Sequence, residues 1–464
     1  MNTANNSQAI EALSANALNT RFENLDKPTV EHAINRIIDI IGCAIGGANA
    51  PGCPGLVKLV KDWGGKPEAT VIAHGFKAPA YNVALVNSIT DRSFDFEVMA
   101  GSVAGKGYGQ HISGTTVPTA LAMGEMMGVG GKELITALVV GDDVSNRIAL
   151  SYDFDFFGGF DGTMTHPNFG ATAIAGRLLG LNARQMQNAF GIVVNTIAGS
   201  FSSIWDGATT FKFGQGTAAR NGIFAAQLAK EAWTGLDDAL FDTYGWYKLY
   251  THGCTHPEML TQDLGKIYYA ENNYKRFPCG GPNHPYINLA LQIKQKYGID
   301  ARDIAEVNLL MNKHSLANYY AKPFKLGDFP HGQAIFSFRY TVATALLKGK
   351  VDMWNFTEEA IRDPAVNALI ARIQCLENKD AKAGPGGATM KIKMKDGKEF
   401  TAAPEGPQGH ILGKPMSREE IIAKFMHQVD FSNTVSKNNA EKIVDTVVKL
   451  EQLDNVGKLM KLCS

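Results

Sequence analysis

Met390-Lys391-Ile392-Lys393-Met394-Lys395-Asp396-Gly397-Lys398 is the stretch on which the fold turns. Apolar residues alternate with lysine, the period of a strand with one buried face. Asp396-Gly397 then predicts a tight hairpin turn with positive φ values, and Lys398 to Ala402 the return strand. Upstream, Val307, Leu309 and Met311 alternate in the same way and predict another half-buried strand. This part of the chain therefore carries a sheet.

Outward from it the pattern is helical. Tyr286 to Tyr297 reads as a helix, and Asp363-Pro364 opens another, with Asp363 as N-cap and Pro364 at the first helical position. An apolar helix is expected from Ala334 to Leu347. Ser417 and Glu420 form a capping box, and Asn438 to Met460 reads as helix. Toward the N-terminus, Val30, Ala33, Ile34, Ile37, Ile38, Ile41, Ala44 and Ile45 recur at i, i+3, i+4 spacing, in a helix entered through Pro28-Thr29. Further helices are predicted over 117–127, 132–150, 170–179, 183–197 and 217–233, with inner faces rich in Ala and Gly. Each glycine there costs about 1 kcal/mol of helix propensity against Ala, so close packing must offset it. The fold class expected is mainly α with α+β. Residues 1–270 and 405–464 make a large all-helical domain from both chain ends, and 271–404 an inserted, smaller α+β domain.

Composition narrows the function. Lys+Arg and Asp+Glu both number 45 among 464 residues. This balance gives no basic excess for nucleic acid and no polybasic anchor for a membrane surface. No apolar run of membrane-spanning length occurs. The six cysteines are scattered without a CxxC pair, and the N-terminus lacks the pattern of a secretory signal. The expectation is a soluble, reduced, cytoplasmic protein. HExxH, the P-loop and a strand-to-helix GxGxxG are missing. His252, Cys254 and His256 lie close together in sequence but lack a fourth ligand, so no metal is expected there.

What remains is a set of polar residues in Gly-rich, apolar surroundings. His111 sits in Gly109-Gln110-His111-Ile112-Ser113-Gly114 and His166 in Thr165-His166-Pro167. Lys212 lies between two phenylalanines. Lys275 precedes Arg276-Phe277-Pro278-Cys279-Gly280-Gly281, His284 follows Asn283, and Tyr340 follows Arg339. Singly, each reads as a structural residue. Together, histidines that move protons and lysines that clamp carboxylates suit proton abstraction beside a carboxylate. That chemistry covers loss of water, decarboxylation and epimerisation.

In this order the segments resemble the MmgE/PrpD family, which includes 2-methylcitrate dehydratase, cis-aconitate decarboxylase and iminodisuccinate epimerase. The likeness runs from about Val30 to Leu453. It is carried by Val86-Asn87 through Asp95-Phe96, the His111 and His166 segments, Lys212 before Gly214, Gly216 to Gly222, Lys275 to His284, and Phe336 to Tyr340. The resemblance implies a homodimer needing no metal or organic cofactor, with a site between two domains and the smaller domain, 271–404, as a lid. It implies catalytic roles for His111, His166, Lys212 and Tyr340, and substrate-binding roles for Asp95, Lys275, His284 and Cys279. The substrate implied is a small di- or tricarboxylate. The expected function is a cofactor-independent lyase, with a dicarboxylate isomerase or an inactive carboxylate binder as alternatives. The chain departs from the family pattern at Asp91, Val98 and Gly280.

Overall fold

The computed structural model describes residues 8–99, 101–103, 106–108, 111–155, 157–381, 387–404 and 415–464. Gly109, Gln110 and the expected return point at 405 lie outside them.

The first core is centred on α1 (Lys27–Gly47), α2 (Ala80–Asp91), α3 (Ser113–Met127), α4 (Gly131–Leu150), α5 (Pro167–Leu178) and α7 (Phe213–Lys230), with α6 (Ala183–Val193) against α5 and α7 and further helices at Gln8–Asn19 and near the C-terminus adding buried residues. Asp26 caps α1, its side chain accepting from the Thr29 N–H at 2.9 Å. Glycine sets how closely these helices approach. A Cβ on Gly141 of α4 would lie 2.4 Å from Ile174 on α5, and one on Gly222 of α7 would lie 2.5 Å from the Cβ of Ala171. The small-residue faces seen in sequence are therefore helix crossings, where the lost propensity is offset by backbone-to-backbone packing.

The second core belongs to the α+β unit. It contains α8 (Asn283–Tyr297), β1 (Ile304–Met311), α9 (Pro330–Ile335), α10 (Phe338–Lys348), β2 (Ile373–Glu377), β3 (Thr389–Met394) and β4 (Glu399–Ala402). The strand order is β2-β1-β3-β4. β1 runs parallel to β2, with Val307 opposite Ile373, and antiparallel to β3, with Leu309 opposite Met390. Met390, Ile392 and Met394 are buried while Lys391 and Lys393 are exposed, as the alternation predicts. At the hairpin only Gly397 has positive φ, at 88°. Asp396 does not share it, because the turn closes from Gly397 N–H to the Met394 carbonyl and places the left-handed residue last.

Two predicted helices are broken. The expected 334–347 helix is interrupted at Phe336-Ser337, where the Ser337 side chain caps α10. The expected 438–460 helix ends at Val448 of α12 (Lys437–Val448), followed only by short turns. α11 (Arg418–Ser432) starts at the predicted Ser417–Glu420 capping box and packs along α1. The second core also recruits Cys43, Cys53, Leu85, Phe94, Phe96 and Phe211 from the helical part. No described helix is long and apolar enough to cross a membrane.

Candidate active site

The loop that leaves α2 carries Arg92, Asp95 and Glu97, all buried. A 3-10 turn, Arg92–Phe94, ends at Asp95 in the left-handed region, with φ 48°. A non-glycine residue there is uncommon, and Asp is among those that tolerate it. Two buried groups pin the segment beyond: Asp39 of α1 accepts the Val98 N–H at 2.8 Å, and Lys424 of α11 donates to the Phe96 carbonyl. Lys424 and Asp39 also pair at 2.7 Å.

Five buried side chains converge on this loop. Arg92 Nη1 pairs with Asp95 Oδ1, and lies 2.6 Å from Glu97 Oε1. His111 Nδ1 lies 2.9 Å from Glu97 Oε1, and its Nε2 lies 3.7 Å from Asp95 Oδ1. The Nδ1 contact is off the line of a hydrogen bond. Lys275 Nζ donates to the Asp95 carbonyl at 2.6 Å and to Oδ2 at 2.7 Å. His111 is itself fixed by Glu271, whose two carboxylate oxygens accept the Ile112 and Ser113 N–H groups at 2.8 Å each, capping α3.

These contacts decide which groups are charged. Burial works against ionising Glu97, but the Arg92 guanidinium beside it, with the Lys275 ammonium, outweighs it and holds the carboxyl well below the usual range. Asp95 is lowered too, against burial, by Arg92 and Lys275. His111 is shifted down by burial and by the positive charges of Arg92 and Lys275, which favours the neutral ring. Two anions thus face two cations around a neutral imidazole.

Among the described residues, Asp95, Glu97 and His111 form the one His/Cys/Asp/Glu group compact enough to hold a metal ion. Arg92 and Lys275 already cover three of its four carboxylate oxygens and leave Glu97 Oε2 without a partner, so a divalent ion held by both carboxylates and the ring would have to displace them. His252, Cys254 and His256 each turn to a separate partner: Asp155 at 3.4 Å, the Ser151 carbonyl at 3.3 Å and Asp153 at 3.3 Å.

Lys212 approaches the same loop from the other side. Its Nζ donates to the Pro51 carbonyl at 2.7 Å, Ser93 Oγ at 3.1 Å and Cys53 Sγ at 3.3 Å. All three donors of the ammonium are thereby engaged. His166, at the entrance to α5, and His284, in the first turn of α8, are fully buried with both ring nitrogens unpartnered. Burial pushes each down to about 3, with Lys275 adding to the effect on His284. Unpartnered buried imidazoles are costly and mark places where a polar ligand would be welcome.

Both halves of the chain match known domains. Residues 11–258 match the MmgE/PrpD N-terminal domain and residues 277–450 the MmgE/PrpD C-terminal domain. The chain belongs to the MmgE/PrpD family. It is similar to the cis-aconitate decarboxylase-like protein oryM of Aspergillus oryzae, with 23% identity over 94% of this chain and 93% of the relative. A cis-aconitate decarboxylase of Aspergillus terreus is also 23% identical, over 96% and 94%. A 2-methylcitrate dehydratase of Salmonella typhimurium is 21% identical, over 70% and 68%.

In this MmgE/PrpD member, Asp95, His111 and Lys275 form one cluster. Lys212 touches its loop through Ser93, and Cys279 is buried near Lys275, whose charge partly offsets the burial that pushes its thiol up. Tyr340 stands apart in the core of the α+β unit. Its ring stacks on Phe324 and its hydroxyl donates to the Asn355 carbonyl, and none of its contacts reaches the cluster. The residues that sequence reasoning passed over are Arg92 and Glu97, plus Tyr319 and Tyr320. The Tyr320 ring fills the space that a side chain at Gly280 would occupy, its hydroxyl 2.0 Å from an ideal Cβ there. Burial raises both phenols, and the Asp95 charge adds to it. The run of charges Asp91, Arg92, Asp95 and Glu97, interleaved with Phe94, Phe96 and Val98, was the available signal for Arg92 and Glu97. Nothing in sequence pairs Gly280 with Tyr320.

Proposed function

We infer that this protein is a lyase that removes water or carbon dioxide from a small di- or tricarboxylate by proton transfer beside a carboxylate. The observation that carries this reading is His111, neutral and buried, against Glu97 and Asp95 with Lys275 alongside. A neutral imidazole at that point can take a proton from a carbon acidified by its carboxylate, or return one to the resulting carbanion. Lys275 uses two donors on Asp95 and keeps the third for a substrate carboxylate or the charge that develops on it. His166 is assigned the complementary proton transfer. For dehydration, the α-proton goes to one histidine and the β-hydroxyl leaves as water with a proton from the other, which takes that proton up when the anionic acid binds beside it. For decarboxylation, the electron pair of the broken C–C bond stays on the α-carbon and is protonated there. His284 and Cys279 are assigned to the substrate-facing wall. Residues 271–404 are assigned as the lid over the site, and Tyr340 is given no step.

The names of the relatives support the substrate class, and the unpartnered rings of His166 and His284 support a polar ligand between the two cores. The test is proton NMR in deuterated water with citrate, 2-methylcitrate, cis-aconitate and iminodisuccinate. Loss of an α-proton with release of water, or deuterium entering an α-carbon with release of carbon dioxide, and loss of that turnover by a factor of about 100 or more in His166→Ala, is the expected result. Exchange without loss of a group would replace the lyase by an isomerase. No turnover of any of these acids would remove the reading.

A further inference from the structure

His331, to which no role has been assigned, joins the two cores. It lies in the first turn of α9, in the α+β unit. Its Nε2 lies 2.8 Å from the Ser93 carbonyl, inside the charged loop of the helical part. Its Nδ1 lies 3.1 Å from the Phe356 carbonyl, on the α+β side. Ser93 is also the residue whose hydroxyl takes a donor of Lys212, and it stands one residue from Arg92 and two from Asp95. The ring is wedged edge-on against Phe94, at 4.8 Å between centroids, and borders a cavity of about 360 Å³ between Pro51 and Phe356.

Both partners of the ring are acceptors only. A neutral imidazole has one N–H, so it satisfies one carbonyl and sets a lone pair against the other. A group placed this way is sensitive to the distance between the two backbone segments, because moving them apart costs the hydrogen bond and relieves the lone-pair contact. Leucine would fill the volume with neither donor nor acceptor. Glutamine would restore a donor.

We propose that His331 is a positioning residue that couples the placement of the α+β unit to the shape of the Arg92–Val98 loop, through its bridge from the Phe356 carbonyl to the Ser93 carbonyl. Only the turnover arm of the test rests on the lyase reading. Hydrogen–deuterium exchange is measured over 92–98 and 353–357 in the wild-type protein, H331L and H331Q. In H331L, exchange rises about tenfold or more in both segments, and H331Q recovers most of the protection. With a substrate in hand, kcat of H331L falls about tenfold while KM moves less than about threefold, as expected when reacting groups are misplaced rather than binding lost. Glutamine restores most of kcat. Unchanged exchange in H331L, or equal changes in both variants, overturns the proposal. Should H331L not fold, the wild-type ring decides: nitrogen-15 shifts of His331, assigned with H331Q, should show one fixed tautomer, and averaging between two overturns the bridge. If no acid is turned over by the wild-type protein, the lyase reading fails while exchange still decides the role of His331.

Discussion

Lys275 grips Asp95 twice, once at the backbone carbonyl and once at the carboxylate, at 2.6 and 2.7 Å. The lysine therefore holds a left-handed residue in place and neutralises its charge with the same atom. Removing one partner of a buried pair costs up to about 3–5 kcal/mol, and less where, as here, Arg92 stays paired with the remaining carboxylate. Lys275→Met should lose about 1–3 kcal/mol in urea denaturation, because Asp95 keeps Arg92 but its carbonyl and Oδ2 lose their donor. A loss within about 0.5 kcal/mol, the scale of an ordinary surface substitution, would show that the pair does not hold the loop.

The histidine contribution to stability should fall as the solution is acidified below neutrality, opposed in part by Glu271, whose carboxyl burial pushes up to about 8 and which therefore gains as pH falls. His166 and His284 are pushed down to about 3 and His331 to about 4 by burial. In the unfolded chain each titrates near 6.5. The native rings stay neutral where the unfolded ones take up protons, so their contribution is present above about 6.5 and is lost as pH drops toward the folded values. Each costs about 1.4 kcal/mol per pH unit in that window. Denaturation midpoints at pH 8, 6 and 5 check this, and a flat profile would mean the rings find protons or water when folded.

Glu97→Gln removes a negative charge that favours the protonated form of His111. The His111 ring should then titrate lower than in the wild-type protein, and the acid limb of any turnover profile should move the same way. Nitrogen-15 shifts of the ring across pH 4–8 read this directly. A shift upward would place another anion in control of His111.

Gly280→Ala should destabilise by about 1–3 kcal/mol, since its Cβ has no room beside Tyr320. Adding Tyr320→Ala should relieve the crowding, giving strong non-additivity in a double-mutant cycle. Additive losses would mean the two residues do not share that space.

Tyr340→Phe leaves the Asn355 carbonyl without its donor inside the α+β core. A loss of about 1 kcal/mol with turnover intact is expected, on the ordinary scale of one hydrogen bond. Turnover loss at unchanged stability would return Tyr340 to the site.

Periodicity and capping carried most of the fold. Asp363, Ser417 and the alternation from Met390 to Met394 predicted real boundaries because each acts over a few residues. The interruption at Ser337 escaped, since a serine inside an apolar run reads as tolerated until its side chain is seen capping α10. For the site, residue type pointed to His111 and Lys275, and the family resemblance added Asp95. The cluster as a whole was hidden, because Arg92 and Glu97 gain their meaning only when the turn at Asp95 folds them back on each other. Tyr340 and Tyr320 look alike in sequence. Only packing shows which phenol lies beside Gly280 and which is spent on Asn355.

Lys424 reaches the Phe96 carbonyl across 328 positions of sequence. During synthesis, the loop bearing Asp95 and Glu97 emerges long before the residue that pins it, so the charged cluster can be completed only when nearly the whole polypeptide has left the ribosome. A nascent chain stopped short of α11 would contain every residue assigned to the site and still lack the strut that shapes it.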